Sequence, residues 1–511
     1  MNQGLPIPPA PAVARPGPAI VVIGAGLGGL AAALRLAHAG ARVTVVERHA
    51  APGGKMRQLP SAAGPVDAGP TVLTMRGVFD ALFADVGERI SDHVSLLAEP
   101  LLARHFWPDG GQLDLWDDRA ANRAAIAAFA GDRAAREFDA FSDRAARLFV
   151  GFEAPVMQAP RLDAGRLTAR VLADPRLFAA MAPLRSLRGL LRGTFTDKRL
   201  AQLFARYATY VGGIPGQVPA LLSLIWQAEA GGVWRVQGGM HALARAVADC
   251  AAAKGAAFIY GTGAAGIETG RGRVAAVTLE DGRRLPATAI VHAGDPRALH
   301  RGLLGPDAAR AIPRSGVEPR SLSAWVWSFA AEPRGAELAH HNVFFAADPD
   351  AEFRDLAAGR MPGQPTLYIC AQDRGSDAPP PAGPERFEII QNAPPRDAAP
   401  GDETKERDAC HQRCFPALTA FGLTFDPEPG TDSAVLTTPA GFGALFPGSA
   451  GSLYGRSPAG PMASFRRPTA RTRLKGLYLA GGGAHPGAGV PMVTLSGRHA
   501  AAAIRADLAL T

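Results

Sequence analysis

The chain has 511 residues, 47% hydrophobic and 20% charged, enough to bury a large core over two or three domains and unlike disorder, collagen repeats or coiled coil. Four cysteines, Cys250, Cys370, Cys410 and Cys414, are too few for a disulfide scaffold and fit a reducing compartment. The net charge of +8 rests on 54 basic residues, of which only 5 are lysine, and the arginines are spread rather than gathered into the patch of a nucleic-acid binder.

Residues 1–16 form a Pro-rich stretch without the basic-then-apolar pattern of a signal peptide and read as a flexible leader. From Ala19 the order is an apolar strand (AIVVI), a turn holding Gly24, Gly26, Gly28 and Gly29, an Ala/Leu helix, and a second strand (RVTVVE) ending in Glu47. That is the complete βαβ context of a dinucleotide fingerprint, with an acid about twenty residues beyond the glycines. Gly24 permits the tight turn, Gly26 lets a pyrophosphate approach the backbone, and Gly29 lets helix and strand pack closely. The helix start offers N–H groups to the phosphates, and Glu47 offers acceptors to an adenosine ribose.

A second glycine turn, Pro52-Gly53-Gly54-Lys55-Met56-Arg57, follows at once, and then Asp67-Ala68-Gly69-Pro70-Thr71. A small nicotinamide-binding domain has no use for this second turn, whereas a longer cofactor such as FAD does. Residues 77–232 are mostly helical by pattern. Within 183–207, six basic residues stand against the single acid Asp197, which suggests a basic amphipathic surface split near Gly193-Thr194, or an ordinary solvated face. Gly261–Gly266 also fits GxGxxG, but a β-hairpin with an Asp281-Gly282 turn follows it, so residues 254–295 read as a β-meander.

Strands are predicted at 321–329, 341–346, 365–370 and 386–392. Trp325, Trp327 and Phe329 share one face at period two, as core or as the wall of an apolar tunnel. Cys410 and Cys414 sit at i, i+4 on a predicted helix, but without a second ligand pair no metal site is expected. Two uncharged windows, 207–228 and 436–455, are broken by glycines and prolines, so no spanning helix is predicted. Near the end come a strand at 477–480, a glycine-rich loop at 481–489, and a helix starting near Pro491–Val493 whose N-terminus suits the anionic edge of a reduced flavin. His485 lies in that loop, beside the flavin or in a structural role.

These readings assemble an α/β protein with a discontinuous, Rossmann-like FAD-binding domain at 17–76, 233–300 and 466–511. The substrate domain has a helical part, 77–232, and a β-rich part of antiparallel sheet, 301–465.

On these residues the chain resembles the FAD-dependent carotenoid desaturases of the phytoene desaturase type. Ile23–Leu30, Glu47–Arg57, Asp67–Thr74 (DAGPTVLT) and His485–Pro491 (HPGAGVP) carry the likeness, which runs over nearly the whole chain after the leader. Stretches such as ARHFWPDG, RYATYVGG and ALLSLIWQAEAGGVW resemble the branch that introduces the 3,4 double bond of 1-hydroxycarotenoids. Lys55 stands where many relatives have Arg, and Met492 where phytoene desaturases commonly have Gly. The resemblance implies FAD on Gly24, Gly26, Gly28, Gly29, Glu47 and Arg48. It further implies contacts from Gly54, Lys55, Arg57, Gly69, Pro70 and Thr71, and from Ala265, Gly482, Gly489, Val490 and Pro491. It names no catalytic base. A linear C40 carotenoid substrate, peripheral contact with membrane lipid on the cytoplasmic side, and oxygen or a quinone as electron acceptor are also implied. Phytoene desaturation, amine or porphyrinogen oxidation, and a non-catalytic isoprenoid carrier stand as the other readings.

Overall fold

The computed structural model describes residues 17–376, 379–397, 403–430 and 433–510; the leader expected at 1–16 lies outside them. A five-stranded parallel sheet runs in the order Leu477–Leu479, Ala289–His292, Ala19–Ile23, Arg42–Glu47, Ala257–Tyr260. Its strands are rich in Val and Ile because both faces are covered. Ile20, Val22, Val43, Val45 and Val291 turn to helices Leu27–His38, Met240–Ala253 and Val490–Leu508. Val21, Val46, Ile290 and Leu479 turn to the opposite face and pack with the meander residues Val274, Val277 and Leu279.

The meander consists of Ala264–Gly270, Arg273–Leu279 and Arg284–Pro286, so the second GxGxxG opens a strand and no helix. The later part of the segment expected to be meander behaves differently. Ala289–His292 leaves the meander and joins the parallel sheet beside Ala19–Ile23, because its four buried residues need cover on both faces.

The distant segments of this layer meet where side chains are missing. A Cβ on Gly497 would stand 2.4 Å from the Gly28 carbonyl oxygen and 2.8 Å from the Ala31 Cβ. The C-terminal helix therefore lies on the first helix at a distance only glycine allows. The same core takes Phe79, Leu82 and Phe83 of helix Gly77–Ala84, and residues Ala308, Ile312 and Val317 join the meander side. The cofactor layer thus extends past 76 and past 300, since these apolar groups have no other core to enter.

A second sheet is ordered Leu423–Asp426, Ser323–Gly335, Glu385–Ala393, Leu367–Ala371, His341–Phe344, Leu101–Phe106, Gln112–Trp116, with Ala434–Thr437 also paired to Ser323–Gly335. Two of its strands come from 77–232, a region expected to be mostly helical, and one pairing, His341–Phe344 with Leu101–Phe106, is parallel. The other pairings are antiparallel, as expected. Trp325, Trp327 and Phe329 pack with Ile369, Phe387 and Ile389 under helix Glu403–Ala420. They are core, and the tunnel-wall reading is wrong for them; Val326, Ile390 and Tyr368 on the other face border the cavity. Cys410 and Cys414 point into that same core and are free. Among the described residues no helix is long and apolar enough to cross a membrane.

Replacing Gly497 by Val forces the two helices apart. An overpacked contact of this kind costs about 1–3 kcal/mol, so thermal unfolding should move to lower temperature and bound flavin should be released more easily. An unchanged melting temperature for Gly497→Val would contradict this packing.

Candidate cofactor and substrate cavity

One cavity of about 1680 Å³ starts at the glycine loops of the parallel sheet and continues between the second sheet and the helices of 149–225. Ordinary small-molecule pockets enclose about 300–1,000 Å³, so this space is large enough for more than a compact ligand. Its two ends differ in chemistry.

At the first end the chain turns sharply at Gly24, whose φ is +104° and whose N–H donates to the Val46 carbonyl at 2.8 Å. A Cβ on Gly29 would lie 2.1 Å from the Gly24 carbonyl oxygen, so this glycine serves packing and does not line the cavity. A Cβ on Gly26, by contrast, would meet nothing within 4 Å, and Gly26 borders the cavity. That open cradle, at the start of a helix with no side-chain cap, fits a pyrophosphate. The second glycine turn closes over it: the Gly53 N–H donates to the Ala25 carbonyl at 2.9 Å, and a Cβ on Gly54 would come within 3.1 Å of the Gly26 Cα.

Glu47 Oε2 accepts from the Ala25 N–H at 2.7 Å, and Oε1 accepts from the His49 N–H at 3.0 Å and faces His49 Nδ1 at 2.7 Å. Burial raises its pKa, but these hydrogen bonds outweigh it and hold the carboxyl below the usual range. An ionised acid at the end of the second strand is the acceptor an adenosine ribose requires. Arg48, 3.6 Å from Glu280, and Ala265 border the same region.

Lys55 reaches the cavity from inside the protein. Its Nζ donates to the Leu453 carbonyl at 2.6 Å, and burial pushes its pKa down to about 8, with Asp295 opposing and Arg320 adding to the shift. Gly69 has to be glycine because a Cβ there would lie 1.9 Å from the Lys55 carbonyl oxygen; Pro70 and Thr71 follow it along the wall. Gly482, Gly489, Val490 and Pro491 complete this end, where helix Val490–Leu508 begins without a side-chain cap.

Arg57 does not line the cavity. Its guanidinium turns to the second sheet, donating to Thr437 Oγ1 at 2.6 Å and lying 5.7 Å from the Phe442 ring centre. His485 is likewise structural, with Nε2 2.8 Å from the Ala159 carbonyl and its ring stacked on His499. Arg467 has no sequence signal at all, yet it donates to the Gly482, Tyr454 and Arg456 carbonyls and so fixes the C-terminal loop. Burial pushes its pKa down to about 10, with Asp295 opposing. Asp67, at the head of DAGPT, has a role that its motif does not signal; its carboxylate accepts from the Met240 N–H and caps helix Met240–Ala253.

The second end is apolar. Phe149, Phe152, Leu167, Val171, Leu221 and Ile225 line it from the helices, and Val326, Val343 and Ile390 from the sheet. The basic stretch at 183–207 does split, into helices Leu187–Thr194 and Lys198–Ala205, but it is not a free cationic face. Arg188 and Arg192 pair with Asp350, Arg199 with Asp197 and Asp109, and Arg206 is buried against Glu229. Helical spacing exposed the charges, and carboxylates pair with four of the six, while Arg185 donates to the Gly189 carbonyl.

A dinucleotide layer with two glycine turns, an ionised ribose acceptor and a long adjoining apolar space defines an FAD-dependent oxidoreductase. The family model of the flavin containing amine oxidoreductases matches residues 27–505. The hydroxyneurosporene desaturase of Cereibacter sphaeroides is 57% identical, covering 96% of this chain and 98% of that protein. The hydroxyneurosporene desaturase of Rubrivivax gelatinosus is 44% identical over 96% and 93%, and the phytoene dehydrogenase of Streptomyces griseus 34% identical over 94% of each chain. Among solved structures, an oxidoreductase from Methanosarcina mazei aligns with a TM-score of 0.59 at 18% identity, over 94% of this chain and 99% of that one. The cyclohexylamine oxidase of Brevibacterium oxydans aligns at 0.55 and 18%, over 97% and 100%. The chain belongs to the flavin containing amine oxidoreductase family, and within it to the carotenoid desaturases.

Because the Gly26 cradle is empty of protein, Gly26→Val should fold with an unchanged melting temperature for the flavin-free protein and yet purify colourless. Retained flavin absorbance in that variant would remove the pyrophosphate from this turn.

Proposed function

We propose that the protein desaturates a linear carotenoid carrying a hydroxyl at C1, introducing the 3,4 double bond. The observation that carries this reading is the continuity of the cavity: the glycine loops and the long apolar space share one volume, so an extended apolar chain can reach the cofactor end along apolar walls. Relatives with full-length similarity named for hydroxyneurosporene support the substrate. FAD, when bound, supplies the ring that accepts a hydride from the saturated bond.

The protein's own part is placement and exclusion. Glu47 and the Gly24–Gly29 turn hold the adenosine diphosphate end, while Lys55 contributes a cation beside the second turn. Phe149, Phe152 and Val171 on one side and Val343 and Ile390 on the other confine a polyene to one track. Confinement of this kind replaces a free encounter by a fixed approach and keeps water from the reacting carbons. Either oxygen or a quinone can reoxidise the flavin under this reading.

The substrate is dissolved in lipid, and the exposed apolar groups suggest where it enters. Leu184 is 98% exposed, Leu172 69% and Phe178 46%, and all three also line the cavity. Around them Arg166, Arg170 and Arg176 are exposed. An apolar rim with cations beside it suits an anionic lipid surface. Under this reading the contact with a membrane, on its cytoplasmic side, is made by 161–184 and not by the paired arginines of 183–207.

Reconstitution of the FAD-loaded protein with 1-hydroxyneurosporene in lipid should shift the polyene absorption to longer wavelength. An unchanged spectrum with flavin bound and an acceptor present would overturn the activity. Separately, replacing Leu172, Phe178 and Leu184 together by Ser should reduce co-sedimentation with phosphatidylglycerol vesicles several-fold while flavin content stays the same. Undiminished sedimentation would move the membrane contact elsewhere.

A further inference from the structure

The apolar cavity contains a polar network that flavin binding does not use. Arg206, on the wall and 8% exposed, donates through Nη1 to the Tyr210 phenol oxygen at 2.5 Å and lies 3.5 Å through Nη2 from Glu229 Oε1. Tyr207 donates to Glu229 Oε1 at 2.6 Å, and its ring meets Tyr210 edge-on at 5.1 Å. A buried ion pair costs desolvation that packing by apolar side chains would avoid, and a tunnel for a hydrocarbon has no need of one. Of the four residues, Tyr207 and Glu229 are sealed behind the wall, whereas Tyr210 is part-exposed and borders the cavity. The network meets the substrate space at the Tyr210 phenol.

Its position along the cavity matters. Tyr210 packs with Tyr368 and Val72 against one apolar core, and Gly212, two residues further on, stands beside the ring of Tyr454, whose backbone carbonyl accepts from Arg467, the side chain that holds Gly482. Tyr368 in turn is hydrogen-bonded to Thr71 at 2.6 Å, two residues beyond the glycine that packs on Lys55. Tyr210 therefore belongs to the cofactor end of the cavity and not to its distant apolar end. In a 1-hydroxycarotenoid the oxygen on C1 is separated from C3 by C2 alone. Whatever holds that hydroxyl must stand beside the reacting bond, at the cofactor end. Tyr368 already has Thr71 and His341 as partners, the latter at 2.7 Å. Tyr210 accepts from the Arg206 guanidinium and lies beside the Glu229 carboxylate, and burial keeps its phenol protonated and so able to donate.

We propose that Tyr210 binds the hydroxyl of the substrate and that Arg206 and Glu229 position its phenol, so that recognition of the one polar group on the chain sets which carbon–carbon bond faces the flavin. This inference rests on the substrate reading above and adds the residue that selects it. A hydroxyl–phenol bond in a desolvated site distinguishes a hydroxylated chain from its hydrocarbon analogue, since the analogue offers nothing to replace the water that the phenol gives up.

The test is binding of 1-hydroxyneurosporene and of neurosporene to the FAD-loaded protein, read by quenching of tryptophan fluorescence, a signal independent of turnover. The wild type should bind the hydroxylated carotenoid about tenfold more tightly, from a net hydrogen-bond contribution near 1.4 kcal/mol. Tyr210→Phe should lose that preference by weakening only the hydroxylated ligand, with neurosporene affinity and flavin absorbance unchanged, while the melting temperature falls because the buried Arg206 guanidinium loses an acceptor. Equal affinities in the wild type overturn the proposal without any variant, which covers the case in which Tyr210→Phe does not fold. A preference that survives in a folded Tyr210→Phe protein overturns it too. If the wild type shows the preference but no polyene is desaturated, the activity fails and the hydroxyl site stands. Desaturation without the preference leaves the activity standing and removes the hydroxyl site.

Discussion

The structure depends on backbone meeting backbone where side chains are absent. The first helix, the second glycine turn and the C-terminal helix come from residues near 28, 54 and 497, and they converge on one another through glycine contacts that a single Cβ would block. Gly497 seats the last helix on the first, and Gly54 closes over Gly26. That convergence aims two uncapped helix starts at one volume, where their partial positive charge adds to that of the buried Lys55 and Arg467. The discontinuity of the domain is thus a condition of the site. A cofactor long enough to need both ends can be held only if segments from opposite ends of the chain touch.

From that contact the rest follows in sequence. The parallel sheet carries Glu47 to the edge of the cavity, where backbone N–H donors keep it ionised against the cost of its burial. The second sheet divides labour between its faces. One face, with Trp325, Trp327 and Phe329, is sealed by helix Glu403–Ala420, which frees the other face to serve as a wall. The helices of 149–225 supply the opposite wall and leave a rim of exposed apolar groups around Leu172, Phe178 and Leu184. A protein with no spanning helix among its described residues is thereby given a route between a lipid phase and a buried flavin under the proposed function.

Two cations of the cavity wall show how differently the fold treats a buried charge. Lys55 is tethered to a carbonyl of the 452–455 loop and loses much of its affinity for a proton through burial. Arg206 keeps its charge because Tyr210 and Glu229 offset the same kind of burial. Burial therefore leaves a weakened cation in one place and a fixed one in the other: Asp295 only partly offsets it at Lys55, whereas Tyr210 and Glu229 more than offset it at Arg206. Where the wall carries no such group it is hydrocarbon, consistent with a substrate that offers almost nothing to recognise.

The sequence by itself determined the dinucleotide layer, because a strand, four glycines, a helix and an acid at fixed spacing admit one local geometry and every part of it is contiguous in the chain. It also determined four of the eight strands of the second sheet, through apolar runs between Pro/Gly-rich loops, and the larger part of the meander expected at 254–295, whose last strand the fold moved to the parallel sheet. Tertiary structure alone decided the rest. Whether Trp327 faced core or tunnel depended on which face helix Glu403–Ala420 would cover, and period two is symmetric between the two. Whether Arg188 and Arg192 were free depended on Asp350, which lies far away in sequence. Arg57 left the cavity and Arg467 entered it for the same reason, since a charged side chain goes where the fold places its acceptors. The basic excess behind the opening charge of +8 is accordingly drawn into many pairings that composition cannot reveal and only the folded chain creates.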